Sequence, residues 1–395
     1  MSLAGCDLIT LKDLSVAQIT QLLDIADGMA EAIGFSGGAK ATSEPLDRIL
    51  ATLFFEPSTR TRLSFESAML RLGGQLLCLG GPEASSVMKG ETLADTIRMI
   101  EGYSDIIVIR HPLAGAARVA ADYANVPVIN GGDGPHEHPT QTLTDLFCLR
   151  RRHGRLDGLK IGLCGDLKYG RTVHSLAPTM ARFGSDVVCI APPQLAMPAE
   201  VLDECEQLTG HRPAEVNSFA DGLPGLDMLY MTRVQKERFE DEAECERVKD
   251  AFILTAEVMR KAPPGMVVMH PLPRVNEIAT DVDDDPRAAY FEQAAGGVPV
   301  RMALMAALLG VVETQEKIRA VGLGSTVMRV AAEAVPIAAA GPERIVAAGD
   351  SICNYAKCIT SKETYLPVAY TVTATGEKRC WYCEQVVHLG GLFEE

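Results

Sequence analysis

Short apolar runs and amphipathic segments alternate in two successive series along this chain, and that rhythm limits the fold more than any other feature. After an amphipathic helix over 10–32, Ile49 to Phe55 reads as a strand buried on both faces. Helix 61–72, strand 75–79, helix 92–102, strand 106–110, helix 114–124 and strand 126–130 follow. Gly131-Gly132-Asp133-Gly134-Pro135 is a turn, and a helix from Pro139 to His153 leads to the second series. That series comprises strand 159–164, helix 172–183, strand 186–190, helix 199–208, strand 226–231, helix 242–250 and strand 266–269. Residues 287–310 read as an alanine-rich helix. Strands linked through helices lie parallel, with helices on both faces of the sheet. The expected class is α/β, with two doubly wound parallel-sheet domains facing a cleft. Ligands of such sheets lie beyond the carboxyl ends of the strands. Chemistry is therefore expected after residues 55, 110, 130, 164, 231 and 269.

The segments at those positions carry anion-binding side chains. Phe54-Phe55-Glu56-Pro57-Ser58-Thr59-Arg60-Thr61-Arg62 ends a strand and starts a helix. Pro57 breaks the strand, and Ser58 and Thr59 can cap the helix. A helix start offers free N–H groups and the positive end of a dipole, and Arg60 adds a planar fork that matches phosphate oxygens. Ser85-Ser86-Val87-Met88-Lys89 is a polar loop with a mobile point charge, Lys89. Arg110-His111-Pro112 closes another strand. In His136-Glu137-His138-Pro139-Thr140-Gln141, His138 and Gln141 are three apart at a helix start and can face one ligand. A metal at His136 and His138 fits less well than a neutral imidazole donating to a carbonyl oxygen, because helical metal pairs stand four apart. Gly165-Asp166-Leu167-Lys168-Tyr169-Gly170-Arg171-Thr172 nearly matches a P-loop, yet Arg171 stands where that motif needs lysine. Arg233 and Gln235 follow the strand ending at 231. In His270-Pro271-Leu272-Pro273-Arg274 the two prolines fix the backbone and can aim carbonyls at a ligand.

The net charge of −15 disfavours a nucleic-acid partner, and it makes arginines gathered at strand ends more informative, as expected of a small-anion site. No apolar run approaches a membrane span, and the amino terminus lacks signal-peptide features, so a cytoplasmic protein is expected. Most of the 11 cysteines read as buried free thiols. Four are different. Cys353 and Cys358 form C-x4-C, and Cys380 and Cys383 form C-x2-C, with 21 residues between the pairs. That spacing on a short β-rich segment reads as a structural four-cysteine zinc site, in preference to disulfides. A small C-terminal β-rich zinc domain, held by those four cysteines, therefore completes the fold class. No organic cofactor is called for.

Residues 7 to about 310 resemble the catalytic chain of aspartate carbamoyltransferase. The resemblance rests on Phe55-Glu56-Pro57-Ser58-Thr59-Arg60-Thr61-Arg62, His138-Pro139-Thr140-Gln141, Gly165-Asp166-Leu167-Lys168-Tyr169-Gly170-Arg171 and His270-Pro271-Leu272-Pro273-Arg274. It implies transfer of a carbamoyl group from carbamoyl phosphate to L-aspartate, the committed step of pyrimidine biosynthesis. It implies a carbamoyl phosphate-binding domain over 1–138, with 295–310 packing back on it, and an aspartate-binding domain over 139–294. Ser58, Thr59, Arg60 and Thr61 would hold the phosphate, with Ser85. Thr61, Arg110 and His138 would polarise the carbonyl oxygen. Gln141 and the backbone of Pro271 and Leu272, with Pro273 completing the loop, would hold the carbamoyl NH2. Arg171, Arg233 and Gln235, with Lys89, would grip aspartate. In the family the loop matching Ser85 and Lys89 enters a neighbouring subunit's site, which implies a homotrimer with shared active sites. The rival transcarbamoylase, acting on ornithine, usually carries a cysteine in the motifs where this chain has Thr140 and Pro271. An inactive scaffold homologue would lack motif residues, and none is missing.

Residues from about 341 resemble the zinc domain of the family's separate regulatory chain, through Pro342-Glu343-Arg344-Ile345 and the four cysteines. The expectation is a fusion protein: catalytic part, linker over 311–340, and a zinc domain over 341–395. The linker is too short for the nucleotide-binding domain that should precede a regulatory zinc domain. In the family that domain docks on catalytic chains and helps join trimers, so a dimer of trimers stays open.

Overall fold

The computed structural model describes residues 2–35, 46–79, 89–234, 251–312, 344–346, 353–373 and 375–387. The expected helix 242–250, the loop with Ser85, Gln235 and nearly all of the linker 311–340 lie outside these residues. The chain divides into two compact units: residues 1–139 with 301–395, and residues 140–300.

The first unit holds α1 (Val16–Ala32), β1 (Ile49–Phe54), α2 (Thr59–Arg71), β2 (Gln75–Cys78), α3 (Leu93–Glu101), β3 (Ile106–His111), α4 (Ala116–Tyr123) and β4 (Val128–Asp133). Its parallel sheet has the order β2-β1-β3-β4. Ala51, Leu53, Ile107, Ile109 and Val128 bury the sheet against Ala117, Val119 and Ala120 of α4. The order reverses direction between β1 and β3, and such switch points open a crevice at the carboxyl ends of the strands.

The second unit begins with α5 (Pro139–His153) and continues through β5 (Lys160–Cys164), α6 (Arg171–Arg182), β6 (Asp186–Ile190), α7 (Ala199–Thr209), β7 (Ala214–Val216), α8 (Phe219–Gly222), β8 (Met228–Met231), α9 (Ala256–Lys261) and β9 (Val267–Met269). Then comes α10 (Tyr290–Leu308), which re-enters the first unit at Arg301. The sheet order is β7-β6-β5-β8-β9, all parallel, with its switch point between β5 and β8. Val188, Ile190, Leu229, Met231 and Val268 form its core with Leu226 and Tyr290. β7, α8 and α9 are not anticipated by the sequence pattern. Each is short, and β7 is an edge strand with two exposed residues, so it has no apolar run to announce it.

The C-terminal module is a three-stranded antiparallel sheet, β10 (Ile345–Val346), β11 (Ala369–Val372) and β12 (Lys378–Cys380). It belongs to the first unit and shares that unit's core, where Ile359, Leu366, Ala369 and Tyr382 pack with Leu93, Ile97, Ala116 and Ala117. Ala114 forms a parallel bridge with Cys358. The Ala94 N–H donates to the Tyr365 hydroxyl at 3.1 Å, and Asp122 accepts from Trp381 and Arg344. No helix among the described residues is long and apolar enough to cross a membrane. Of the other thiols, Cys148, Cys164, Cys189 and Cys205 are buried as expected, whereas Cys78 lies exposed on an edge strand.

Candidate active site and metal centre

In the first unit the motif residues gather at the switch point. β1 and β3 are in register with Phe54 opposite Arg110, and the Phe55 N–H donates to the Arg110 carbonyl at 2.8 Å. α2 begins directly after β1, with Ser58 at its N-cap. Ser58 makes no side-chain cap bond, contrary to the capping role expected of it. A first turn without a side-chain cap keeps its N–H groups for another acceptor. Thr59 and Arg60 are exposed there, and Thr61 is buried.

Arg110 is buried at the end of β3. Its Nη1 donates to the Gly131 carbonyl at 3.1 Å and its Nη2 to Glu56 at 3.0 Å. Its Nε and Glu56 Oε2 have no hydrogen-bond partner among the described residues. Burial, and then the positive charge of Arg110, lower the pKa of Arg60. Two guanidinium groups close enough to repel favour an anion near them. His138, beyond β4, places Nε2 3.5 Å from the Thr61 hydroxyl. The structure thus brings Thr61 to His138, and Arg60 to Arg110. Lys89 is exposed ahead of α3.

His136 is turned away from this group. Its Nδ1 lies 3.0 Å from Asp133 and its Nε2 3.8 Å from Glu384 of the C-terminal module. Burial opposes its protonation, but Asp133 and then Glu384 outweigh that and raise its pKa well above the usual imidazole value. Asp133 also accepts from the Gly115 N–H, from Asn130 and from the Glu137 N–H. Held by a hydrogen bond to Asp133 and facing the charge of Glu384, His136 is a bracket for the turn that carries His138.

In the second unit the remaining described motifs stand at the carboxyl ends of β5, β8 and β9. The Thr232 N–H donates to the Cys164 carbonyl, joining the segments after β5 and β8. Gly165 has φ +112, and a Cβ there would stand 2.4 Å from the Thr232 carbonyl oxygen, so only glycine allows this approach. Arg171 opens α6, and Arg233 follows β8; both are half-buried. The loop after β9 is fixed by buried His270. Its Nδ1 accepts from the Leu272 N–H at 2.8 Å, and its Nε2 donates to Glu277 at 2.7 Å. Burial lowers the pKa of His270, which keeps the imidazole neutral as this pair of bonds requires. Leu272 adopts φ 50, a conformation a branched residue rarely takes, and Pro273 follows it.

Sequence reasoning missed Glu56, Glu277, Glu384 and the buried trio Asp145, Tyr230 and Gln293. Asp145 carried a usable signal, since it stands one helical turn after Gln141. Glu384 carried none.

Cys353, Cys358, Cys380 and Cys383 form the metal-binding candidate, with all Sγ atoms within 4.8 Å of one another. Cys353 and Cys383 are 3.6 Å apart, and Cys358 and Cys380 3.9 Å. Tetrahedral sulfurs at about 2.3 Å from zinc stand about 3.8 Å apart, so the set fits that ion. Donation from Cys353 first, then from Cys380 and Cys383, drops the Cys358 thiol far below the usual range. The same crowding pushes Cys383 far above it. Thiols crowded in this way favour a bound cation, which lets more of them ionise.

Residues 6–151 match the family model described as aspartate/ornithine carbamoyltransferase, carbamoyl-P binding domain, and residues 157–308 match the Asp/Orn binding domain of the same family. The chain is 51% identical to the aspartate carbamoyltransferase catalytic subunit of Methanosarcina barkeri over 314 residues, covering 79% of this chain and 100% of that one. It is 52% identical to the Methanopyrus kandleri catalytic subunit over 310 residues, 78% of this chain and 99% of the relative. The aspartate transcarbamoylase of Trypanosoma cruzi in complex with N-(phosphonacetyl)-L-aspartic acid is similar with a TM-score of 0.73 and 41% identity, over 78% of this chain and 97% of that one. The M. jannaschii catalytic subunit is similar with a TM-score of 0.70 and 46% identity, over 77% and 98% of the two chains. On sequence and on fold, the chain belongs to the family of aspartate carbamoyltransferase catalytic chains.

Proposed function

We propose that this chain transfers the carbamoyl group of carbamoyl phosphate to the amine of L-aspartate, giving N-carbamoyl-L-aspartate and phosphate. The observation that carries the reading is the pairing of Arg60 with Arg110, and of Thr61 with His138, around an uncapped helix start. A solved T. cruzi relative, 40% identical, holds carbamoyl phosphate and aspartate.

Ser58, Thr59, Arg60 and Thr61 take the phosphate, joined by Ser85. Thr61, Arg110 and His138 donate to the carbonyl oxygen. The Arg110 fork is held from behind by Glu56 and the Gly131 carbonyl, so it is oriented before substrate arrives. Gln141 and the backbone oxygens of Pro271 and Leu272 accept from the carbamoyl NH2, and Pro273 shapes that loop. Arg171, Arg233 and Gln235, with Lys89, pair with the aspartate carboxylates. The amine attacks the carbonyl carbon, and charge grows on the oxygen facing the three donors. The bond from carbon to the phosphate oxygen then breaks, and the leaving phosphate takes the amine proton. No protein base is needed. Orientation of two bound anions supplies much of the acceleration.

The module from about residue 341 is regulatory-chain-like and binds zinc through the four cysteines, with no part in the chemical steps. The assembly is a homotrimer in which Ser85 and Lys89 serve a neighbouring site. Mixing the protein with carbamoyl phosphate and either aspartate or ornithine tests the function. Carbamoyl aspartate is the expected product, and citrulline from ornithine would overturn the reading.

A further inference from the structure

One buried carboxylate in the second unit is not used by the steps above. Asp145 lies on α5, four residues after Gln141, and is 1% exposed. Its Oδ1 accepts from Gln141 Nε2 at 2.8 Å and from Gln293 Nε2 at 2.6 Å, and its Oδ2 accepts from the Tyr230 hydroxyl at 2.9 Å. Gln293 passes the connection on, because its Oε1 accepts from the His270 N–H at 2.9 Å. His270 in turn holds the Leu272 N–H. A single carboxylate therefore ties the side chain of Gln141 to the loop of Pro271 and Leu272.

We propose that Asp145 is the positioning residue that sets the acyl-donor preference, by fixing which end of the Gln141 amide faces substrate. This rests on the reading of Gln141 given above. An ionised carboxylate can only accept. Gln141 must then give its NH2 to Asp145, and its carbonyl oxygen is the end left for the ligand. An amide by itself has no such preference, since its two ends are nearly the same shape. The same logic turns the oxygen of Gln293 toward the His270 N–H, as found. The ligand group that this oxygen recognises is a donor, the NH2 of a carbamoyl group. A methyl group of the same size offers nothing to it. Sites built around a hydrogen bond reject analogues that lack it, by more than apolar pockets reject a change in size.

The test compares carbamoyl phosphate with acetyl phosphate, which replaces NH2 by CH3. Each is read by kcat/KM with aspartate, or by competitive inhibition where acetyl transfer is too slow. Asp145→Ala is expected to lower the preference for carbamoyl phosphate about 10- to 100-fold, the value of one buried hydrogen bond to a charged or polar partner. Asp145→Asn is expected to keep it within about 3-fold, because its oxygen still accepts from both amides while its NH2 donates to the Tyr230 oxygen. Adding Asp145→Ala to Gln141→Ala should change the preference no further. Partial unfolding cancels from the ratio, since both donors meet the same folded fraction. Equal loss of both donors in Asp145→Ala, an unchanged preference, or loss of preference in Asp145→Asn would overturn the proposal. Wild-type turnover with carbamoyl phosphate tests the function separately.

Discussion

Ala114 and Cys358 pair as neighbouring strands do: the Ala114 N–H donates to the Lys357 carbonyl at 2.9 Å, and the Ile359 N–H donates to the Ala114 carbonyl at 2.8 Å. A cysteine of the candidate metal centre is thus joined by backbone to the segment that follows Arg110. Removing a metal held there should be felt around β3 and α4 as well as in the module. Losing the packing of Ile359, Leu366 and Tyr382 costs roughly 1.5–3 kcal/mol per side chain. Chelation of the purified protein should lower its melting temperature by roughly 5–10 °C. Calorimetry before and after chelation, with zinc added back, checks this. A metal-free protein of unchanged melting temperature contradicts it.

Gly115 explains why the junction tolerates no other residue. It has φ +86, and a Cβ would lie 2.6 Å from both the Cβ and the carbonyl oxygen of Tyr382. Gly115→Ala must strain its own backbone and displace Tyr382. The variant should melt several degrees lower and release zinc to a chelator faster than wild type. An alanine variant with the wild-type release rate would show that the module is held elsewhere.

His111 makes stability depend on acid. Burial, and then the charge of Lys362, push its pKa down to about 4, while the charge of Asp133 acts in the opposite sense. The unfolded value is about 6.5. Between these limits the unfolded chain takes up a proton that the folded chain refuses. The contribution of neutral His111 is complete above pH 6.5 and is lost as pH falls toward 4. Its Nδ1 accepts from the Leu113 N–H at 3.0 Å, a bond that asparagine can replace. His111→Asn should flatten the fall of melting temperature between pH 6.5 and 4. Parallel curves for the two proteins would exclude His111 as the cause.

The strands that carry the site were legible because each is buried on both faces and centres on an apolar run, as at 106–109 of β3 and 161–164 of β5. Arg110 and Arg171 stood out because they end such runs or open the helices that follow. What holds those residues in place was much less visible. Glu56 and Asp145 are ordinary acids in sequence, and their importance comes from Arg110 and from Gln293, the latter 148 residues from its partner. Glu384 meets His136 through packing of the C-terminal module, which no local pattern encodes. Long-range polar partners of this kind follow from topology, and the pattern of one segment carries no trace of them.

Arg60 and Arg171 belong to different compact units and should fail in different ways. Arg60 is exposed at the start of α2, so Arg60→Ala should fold normally. It removes a charged fork proposed to hold phosphate, a contact worth about 1.5–3 kcal/mol. Carbamoyl phosphate measured without aspartate should bind roughly 10- to 100-fold more weakly. Turnover should fall further, to about 10²–10³ below wild type, if the same charge also serves the transition state. Arg171→Ala should leave the binding of carbamoyl phosphate, measured without aspartate, within about 3-fold, because Arg171 is proposed to pair with aspartate alone. Its KM for aspartate should rise by at least about 10-fold. Arg110→Ala forms a third case, since Arg110 is buried against Glu56 and its removal leaves that carboxylate without its partner. It should lose about 1–3 kcal/mol of stability along with activity. Calorimetric titration and steady-state kinetics on the three variants distinguish these outcomes. If Arg60→Ala raised only the KM for aspartate, or Arg171→Ala only weakened carbamoyl phosphate, the two roles would have to be exchanged.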